Sequence, residues 1–133
     1  MKKKEEIIVL VDDNPTAIFY NRDILSDMFT DRQIFSYENP QQFLREFLSG
    51  KFEQYAHILL LLDLNMPYYS GYEILEEIED EIEDLDNLQV VLLTSSRLKS
   101  DLEKSERFYP VIGYIEKPLQ IPKLQRVLVK TES

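Results

Sequence analysis

Asp63 closes an unbroken apolar run, Ile58 to Leu62, and Asn65 and Pro67 follow it closely. A continuous Leu/Ile run of this kind reads as a strand buried on both faces, so the carboxylate sits at the mouth of a core, at a strand's C-terminal end. Three further runs stop in the same way. Ile7 to Val11 gives way to Asp12-Asp13, Val90 to Leu93 gives way to Thr94-Ser95, and Ile112 to Ile115 is followed, one residue on, by Lys117-Pro118. Were these strands parallel in one sheet, carboxylates, a hydroxyl and an ammonium would share one crevice, because open α/β sheets bind ligands outside the carboxyl ends of their strands. Carboxylates so crowded raise each other's pKa unless a cation joins them. An all-oxygen site without His or Cys favours Mg²⁺ or Mn²⁺ held by Asp12, Asp13 and Asp63, with the Asn65 backbone carbonyl as a further oxygen. Such an ion and the Lys117 ammonium would attract a phosphoryl group, with Asp63 as nucleophile and Thr94 as a hydroxyl donor to the product.

The elements that would carry these residues alternate along the chain. Asn14-Pro15 is an N-cap followed by proline, and Ala17/Ile18, Ile24/Leu25 and Met28/Phe29 keep helical spacing, which predicts a first helix over about 15–29. Gln33 to Tyr37 is a weaker strand pattern. Asn39-Pro40 repeats the capping device before the stripe of Phe43/Leu44 and Phe47/Leu48, Gly50 offers a stop, and Lys51 to His57 reads as a loop. Gly71 opens a third helical segment with Leu75, Ile78, Ile82 and Leu85 inward and an acidic outer face that reads as solvated. Strand 4 spans Gln89 to Thr94. A fourth helix is predicted over about 101–108 from the capping box of Ser100 and Glu103, and a fifth begins near Pro122. Strict β-α alternation implies a doubly wound α/β fold: a five-stranded parallel sheet of order 2-1-3-4-5, with five helices and right-handed crossovers. That order sets strands 1 and 3 side by side, bringing Asp12 and Asp13 next to Asp63.

Composition narrows the function further. A chain of 133 residues with 44% hydrophobic content suits one domain, its core at about 6–130 and short tails at 1–5 and 131–133. It has no cysteine, hence no disulfide framework or thiolate site, and its only early apolar run, Ile7 to Val11, is too short for a signal peptide or membrane span. A cytoplasmic location without membrane insertion is expected. The net charge of −10, with 15 basic residues against 25 acidic ones, argues against general nucleic-acid binding and favours cationic partners.

Asp12-Asp13, the Asp63-Leu64-Asn65-Met66-Pro67 run with Gly71 beyond it, Thr94-Ser95, and Tyr114-Ile115-Glu116-Lys117-Pro118 together resemble the receiver domain of two-component response regulators, over nearly the whole chain. The resemblance implies a flavodoxin-like receiver fold that takes a phosphoryl group from a phosphohistidine on a sensor histidine kinase or a histidine phosphotransfer protein. By position it makes Asp63 the phospho-acceptor, assigns Mg²⁺ to Asp12 and Asp13 with the Asn65 carbonyl, sets Lys117 against the phosphoryl oxygens, and makes Thr94 and Tyr114 the switch pair. Ser95 would line the pocket as a small residue. In the family the switch changes the surface of the fourth helix, fifth strand and fifth helix, where a downstream protein target binds. With only three residues beyond 130, this chain resembles stand-alone receivers, both those that bind a target when phosphorylated and those that relay the phosphoryl onward.

Some positions depart from the family pattern. Arg107-Phe108-Tyr109-Pro110 stands where many receivers carry Ala-Gly, Leu119 stands where Phe is common, and Asn65 and Ser96 occupy the two positions that tune dephosphorylation. Each motif alone has a plainer reading: Asp-Asp-Asn as a turn, Lys-Pro as a solvated strand end, Thr-Ser as caps, Tyr68-Tyr69 as loop residues. His57 precedes the third strand, at the end opposite Asp63, and is expected to have no ligand role. Among rival functions, a P-loop hydrolase lacks its motif, and Asp12-Asp13 would repel an FMN phosphate. An Mg²⁺-dependent phosphatase with an aspartyl nucleophile wants a second Asp two residues on, where this chain has Asn65. A receiver-like module that only binds proteins would not need the acceptor residues.

Overall fold

Both cap-plus-proline devices form. The Asn14 side chain accepts from the amides of Thr16 and Ala17, and that of Asn39 from Gln41 and Gln42, while Pro15 and Pro40 occupy first-turn positions where a missing N–H goes unused. The structure, a computed structural model, describes residues 5–95, 103–104 and 107–132. Its elements are β1 (Glu6–Val11), α1 (Pro15–Met28), β2 (Gln33–Tyr37), α2 (Pro40–Leu48), β3 (His57–Asp63), α3 (Gly71–Glu81), β4 (Leu88–Thr94), β5 (Val111–Glu116) and α4 (Ile121–Glu132). The five strands are parallel and ordered β2-β1-β3-β4-β5, as expected. The described residues show four such helices rather than five; the one expected over 101–108 falls partly outside them, as does Ser100 of its capping box.

Central strands are apolar on both faces because helices cover both. One face packs Ile7, Val9, Leu60, Leu62 and Val90 against Phe43 and Phe47 of α2 and Ile74 and Ile78 of α3. The other packs Ile8, Leu10, Leu59, Leu61 and Val91 against Ile18 and Leu25 of α1 and Leu124 of α4.

One expectation is corrected. The third helix does not reach Leu85: it ends at Glu81, where the capping residue Ile82 turns extended and its N–H bonds Ile78 O. Leu85 is nevertheless buried, in the connection to β4, its amide donating to the Tyr109 hydroxyl at 2.9 Å. The helical spacing of 75, 78, 82 and 85 thus reflects one continuous core contact made by two different backbone shapes. The segment after Gly50 is irregular up to the start of β3 at His57, as expected, and Phe52 within it belongs to the core. Gly50 adopts φ +93°, which a side-chain-bearing residue rarely does, and the chain turns back so that the Phe52 ring meets Phe35 edge-on at 5.4 Å and lies among Tyr37, Phe43, Phe47 and Tyr55. Burying one such ring contributes about 1.5–3 kcal/mol.

Candidate functional site

Strand parity decides which end residues can meet. Asp12 follows Ile8 and Leu10, and Asp63 follows Leu59 and Leu61, on the sheet face covered by α1 and α4; Lys117 follows Ile115 on that same face. Val11 pairs with Leu62, so Asp12 falls level with Asp63. On the far side the β4–β5 register slips between Val90 and Val91, after which Thr94 pairs with Glu116 and the Lys117 amide donates to Thr94 O at 2.8 Å. The Lys117–Pro118 peptide bond is cis.

The side chains converge. Asp63 is only 1% exposed, and its Oδ1 lies 2.9 Å from Lys117 Nζ while accepting from the Asn65 amide, also at 2.9 Å. One carboxylate oxygen from each of Asp12, Asp13 and Asp63 lies within 4.8 Å of the other two. Asp12 is buried. Its Oδ1 accepts from the Asn14 amide at 2.9 Å, and its Oδ2 is buried without a hydrogen-bond partner. Burial above all, with a further push from the Asp63 charge, raises Asp12 from the usual 3.8 to about 6, against the pull of the Asn14 amide and Lys117. A buried carboxylate oxygen with no donor, beside two more carboxylates, is the donor set of a hard divalent cation, so these residues fit Mg²⁺.

The sequence points to a backbone carbonyl of Asn65 at the site and, by resemblance, to a position that tunes dephosphorylation; in the structure its side chain also spans the mouth of the site. Asn65 Oδ1 accepts from the Ser95 amide at 2.8 Å, the Ser95 hydroxyl at 3.1 Å and the Thr94 hydroxyl at 3.3 Å. Adjacent hydroxyls at a neighbouring strand end were the available signal, but side-chain direction is not encoded in spacing. Thr94 is buried, whereas Tyr114 is 45% exposed. Gly71, a helix start and a member of the motif run in the sequence, also has a packing role. A Cβ there would lie 2.9 Å from Leu64 Cδ2 and 3.0 Å from Asp63 O, so the absence of a side chain lets α3 abut the end of β3. His57 lies at the opposite end of β3, its Nε2 2.8 Å from Gln89 Oε1.

A parallel sheet with carboxylates gathered beyond the ends of β1 and β3, the switch point of its strand order, defines the doubly wound, flavodoxin-like class. Solved structures agree. A response regulator receiver protein from Dyadobacter fermentans superposes with a TM-score of 0.79 at 23% identity, covering 94% of this chain and 96% of its own. A two-component response regulator from Cytophaga hutchinsonii gives 0.76 at 25% identity, with 98% of each chain covered. The Saccharomyces cerevisiae complex of the histidine phosphotransfer signaling protein Ypd1 and the receiver domain of its downstream response regulator Ssk1 matches with a TM-score of 0.71 at 20% identity, over 95% of this chain and 88% of that one. No curated protein sequence matches significantly. Over residues 8–129 the sequence matches the response regulator receiver domain, and the chain belongs to that family. Its members are phospho-accepting switches of two-component signalling, in which phosphorylation and Mg²⁺ are typical. Among the described residues no helix is long and apolar enough to cross a membrane.

Proposed function

We propose that Asp63 accepts a phosphoryl group from a phosphohistidine on a sensor histidine kinase or a histidine phosphotransfer protein. The N–P bond of the donor breaks as an O–P bond to Asp63 forms, and the imidazole leaves. One observation carries this reading: a buried Asp63 paired to Lys117 at 2.9 Å, beside a buried Asp12 oxygen that has no donor. Asp12, Asp13 and Asp63, with the Asn65 backbone carbonyl, would hold Mg²⁺, or Mn²⁺ in its place. When bound, the cation offsets the carboxylate repulsion and neutralises charge on the phosphoryl oxygens. Lys117 holds Asp63 in position and presents an ammonium to the incoming group, and Thr94 and Ser95 supply hydroxyls at the site's edge. That a receiver of this fold occurs in complex with a histidine phosphotransfer protein supports the class of donor.

The output is a change in partner binding, or onward relay, through the surface of the helix expected over about 101–108, which lies partly outside the described residues, together with β5 and α4. Thr94 and Tyr114 are the switch: a buried hydroxyl that turns toward the phosphoryl group, and a half-exposed ring free to turn inward. Incubation with Mg²⁺ and acetyl phosphate should add one phosphoryl group by mass, and Asp63→Asn should abolish the gain. An adduct that survives Asp63→Asn would overturn the assignment. Catalytic turnover of phosphomonoesters without an adduct would instead identify a phosphatase, a reading weakened by Asn65, which has no titrating proton to give a leaving group.

A further inference from the structure

At the pole of the sheet opposite Asp63 a hollow of about 480 Å³ opens between the C-terminal end of α2, the turn after Gly50 and the connection from α3 to β4. β3 separates it from the acceptor by roughly 20 Å, at about 3.3 Å per residue. Its floor is apolar, made by Phe47, Phe52, Ile58 and Leu85. Its rim is acidic. Glu53, Asp84 and Asp86 are exposed there, and none of the three forms an ion pair among the described residues. The volume lies within the roughly 300–1,000 Å³ of ordinary ligand clefts, and one aromatic side chain would fill a good part of it.

We propose that this hollow docks a basic segment of a partner protein, which inserts one aromatic or long aliphatic side chain onto the Phe47–Phe52 floor and lays Lys or Arg residues against Glu53, Asp84 and Asp86. Charge selects this occupant. An anionic ligand would meet three uncompensated carboxylates, and an uncharged apolar one would leave them unused; a cationic, singly anchored peptide satisfies both floor and rim. The overall charge of −10 draws such a segment in from a distance. Because the hollow and Asp63 lie at opposite ends of β3, the docked segment leaves the acceptor face open, so this contact tethers a partner without competing with phosphoryl transfer.

The chain lacks Trp, which makes the test direct, since any indole signal comes from the probe. The peptide N-acetyl-Lys-Arg-Trp-Arg-Lys-amide, titrated with the full chain, should show a blue-shifted, saturable emission. The same peptide with Gln at the four charged positions should bind at least tenfold more weakly. Ala56 lines the hollow and is exposed, so Ala56→Phe fills it without replacing a core residue and should abolish the shift. The triple variant Glu53→Gln/Asp84→Asn/Asp86→Asn keeps the side-chain acceptor at 84 that holds the Asp86 amide at 3.1 Å, and should weaken binding about tenfold. Neutralising the outer face of α3 instead, with Glu76→Gln/Glu79→Gln/Asp80→Asn, should cost less than threefold. Binding that survives both hollow variants, or that falls equally with the outer-face variant, would overturn the proposal, as would no preference for the charged peptide.

Discussion

Asp12→Asn should stabilise the metal-free protein at neutral pH while abolishing its response to Mg²⁺. Asp12 is buried, and burial together with the Asp63 charge raises its pKa from 3.8 to about 6. A shift of roughly two units corresponds to about 3 kcal/mol between the two protonation states, and solvent at the mouth beside exposed Asp13 reduces that to about 1–2 kcal/mol. The folded pKa is the higher one, so protonated Asp12 favours the fold fully below 3.8, and that contribution is lost as pH rises through about 6. Asn keeps an acceptor for the Asn14 amide, bonded to Asp12 Oδ1 at 2.9 Å, without the charge. Urea unfolding in EDTA should therefore show the variant more stable by about 1–2 kcal/mol at pH 7.5, with the gap closing below pH 4. Adding Mg²⁺ at ten times its Kd should stabilise the wild type by about 1.4 kcal/mol and leave Asp12→Asn unmoved, and the wild-type gain should shrink below about pH 6 as protons compete for Asp12. A variant less stable than the wild type in EDTA at pH 7.5, or a gap independent of pH, would refute the electrostatic account of the site.

Lys117→Met leaves the buried Asp63 carboxylate without its partner at 2.9 Å; since the lysine is about a third exposed, the expected loss is about 1–3 kcal/mol in EDTA, read from the urea midpoint, with labelling by acetyl phosphate at least tenfold slower. An unchanged midpoint would count against the pair. Gly71→Ala places a methyl 3.0 Å from Asp63 O, backbone that cannot swing away, so α3 must shift at a cost of about 1–3 kcal/mol, and both stability and labelling rate should fall together. Phe52→Ala should cost about 3–5 kcal/mol in thermal or urea unfolding, whereas Tyr68→Ala, at a residue 96% exposed, should stay within about 0.5 kcal/mol; similar losses at the two sites would mean that Phe52 is not core.

Strand ends, helix caps and sheet order were legible in the sequence because each depends on near neighbours or on simple alternation. Ile58–Leu62 running into Asp63, the two Asn-Pro caps, and the β-α succession needed only local pattern and the handedness of crossovers to bring Asp12 level with Asp63. What the sequence could not set was anything requiring a particular approach between distant side chains. Phe52 joined the core because Gly50 turned the chain back under α2; Leu85 remained buried although its helix had already ended; and the Asn65 side chain met Thr94 and Ser95 across a strand junction. The 2.9 Å reach of Lys117 to Asp63 and the acidic-rimmed hollow at the far pole likewise exist only once five strands share a register. Local sequence fixes dihedral preferences and which face is apolar, but an interaction strong only within a few ångströms depends on positions set by packing across the whole sheet.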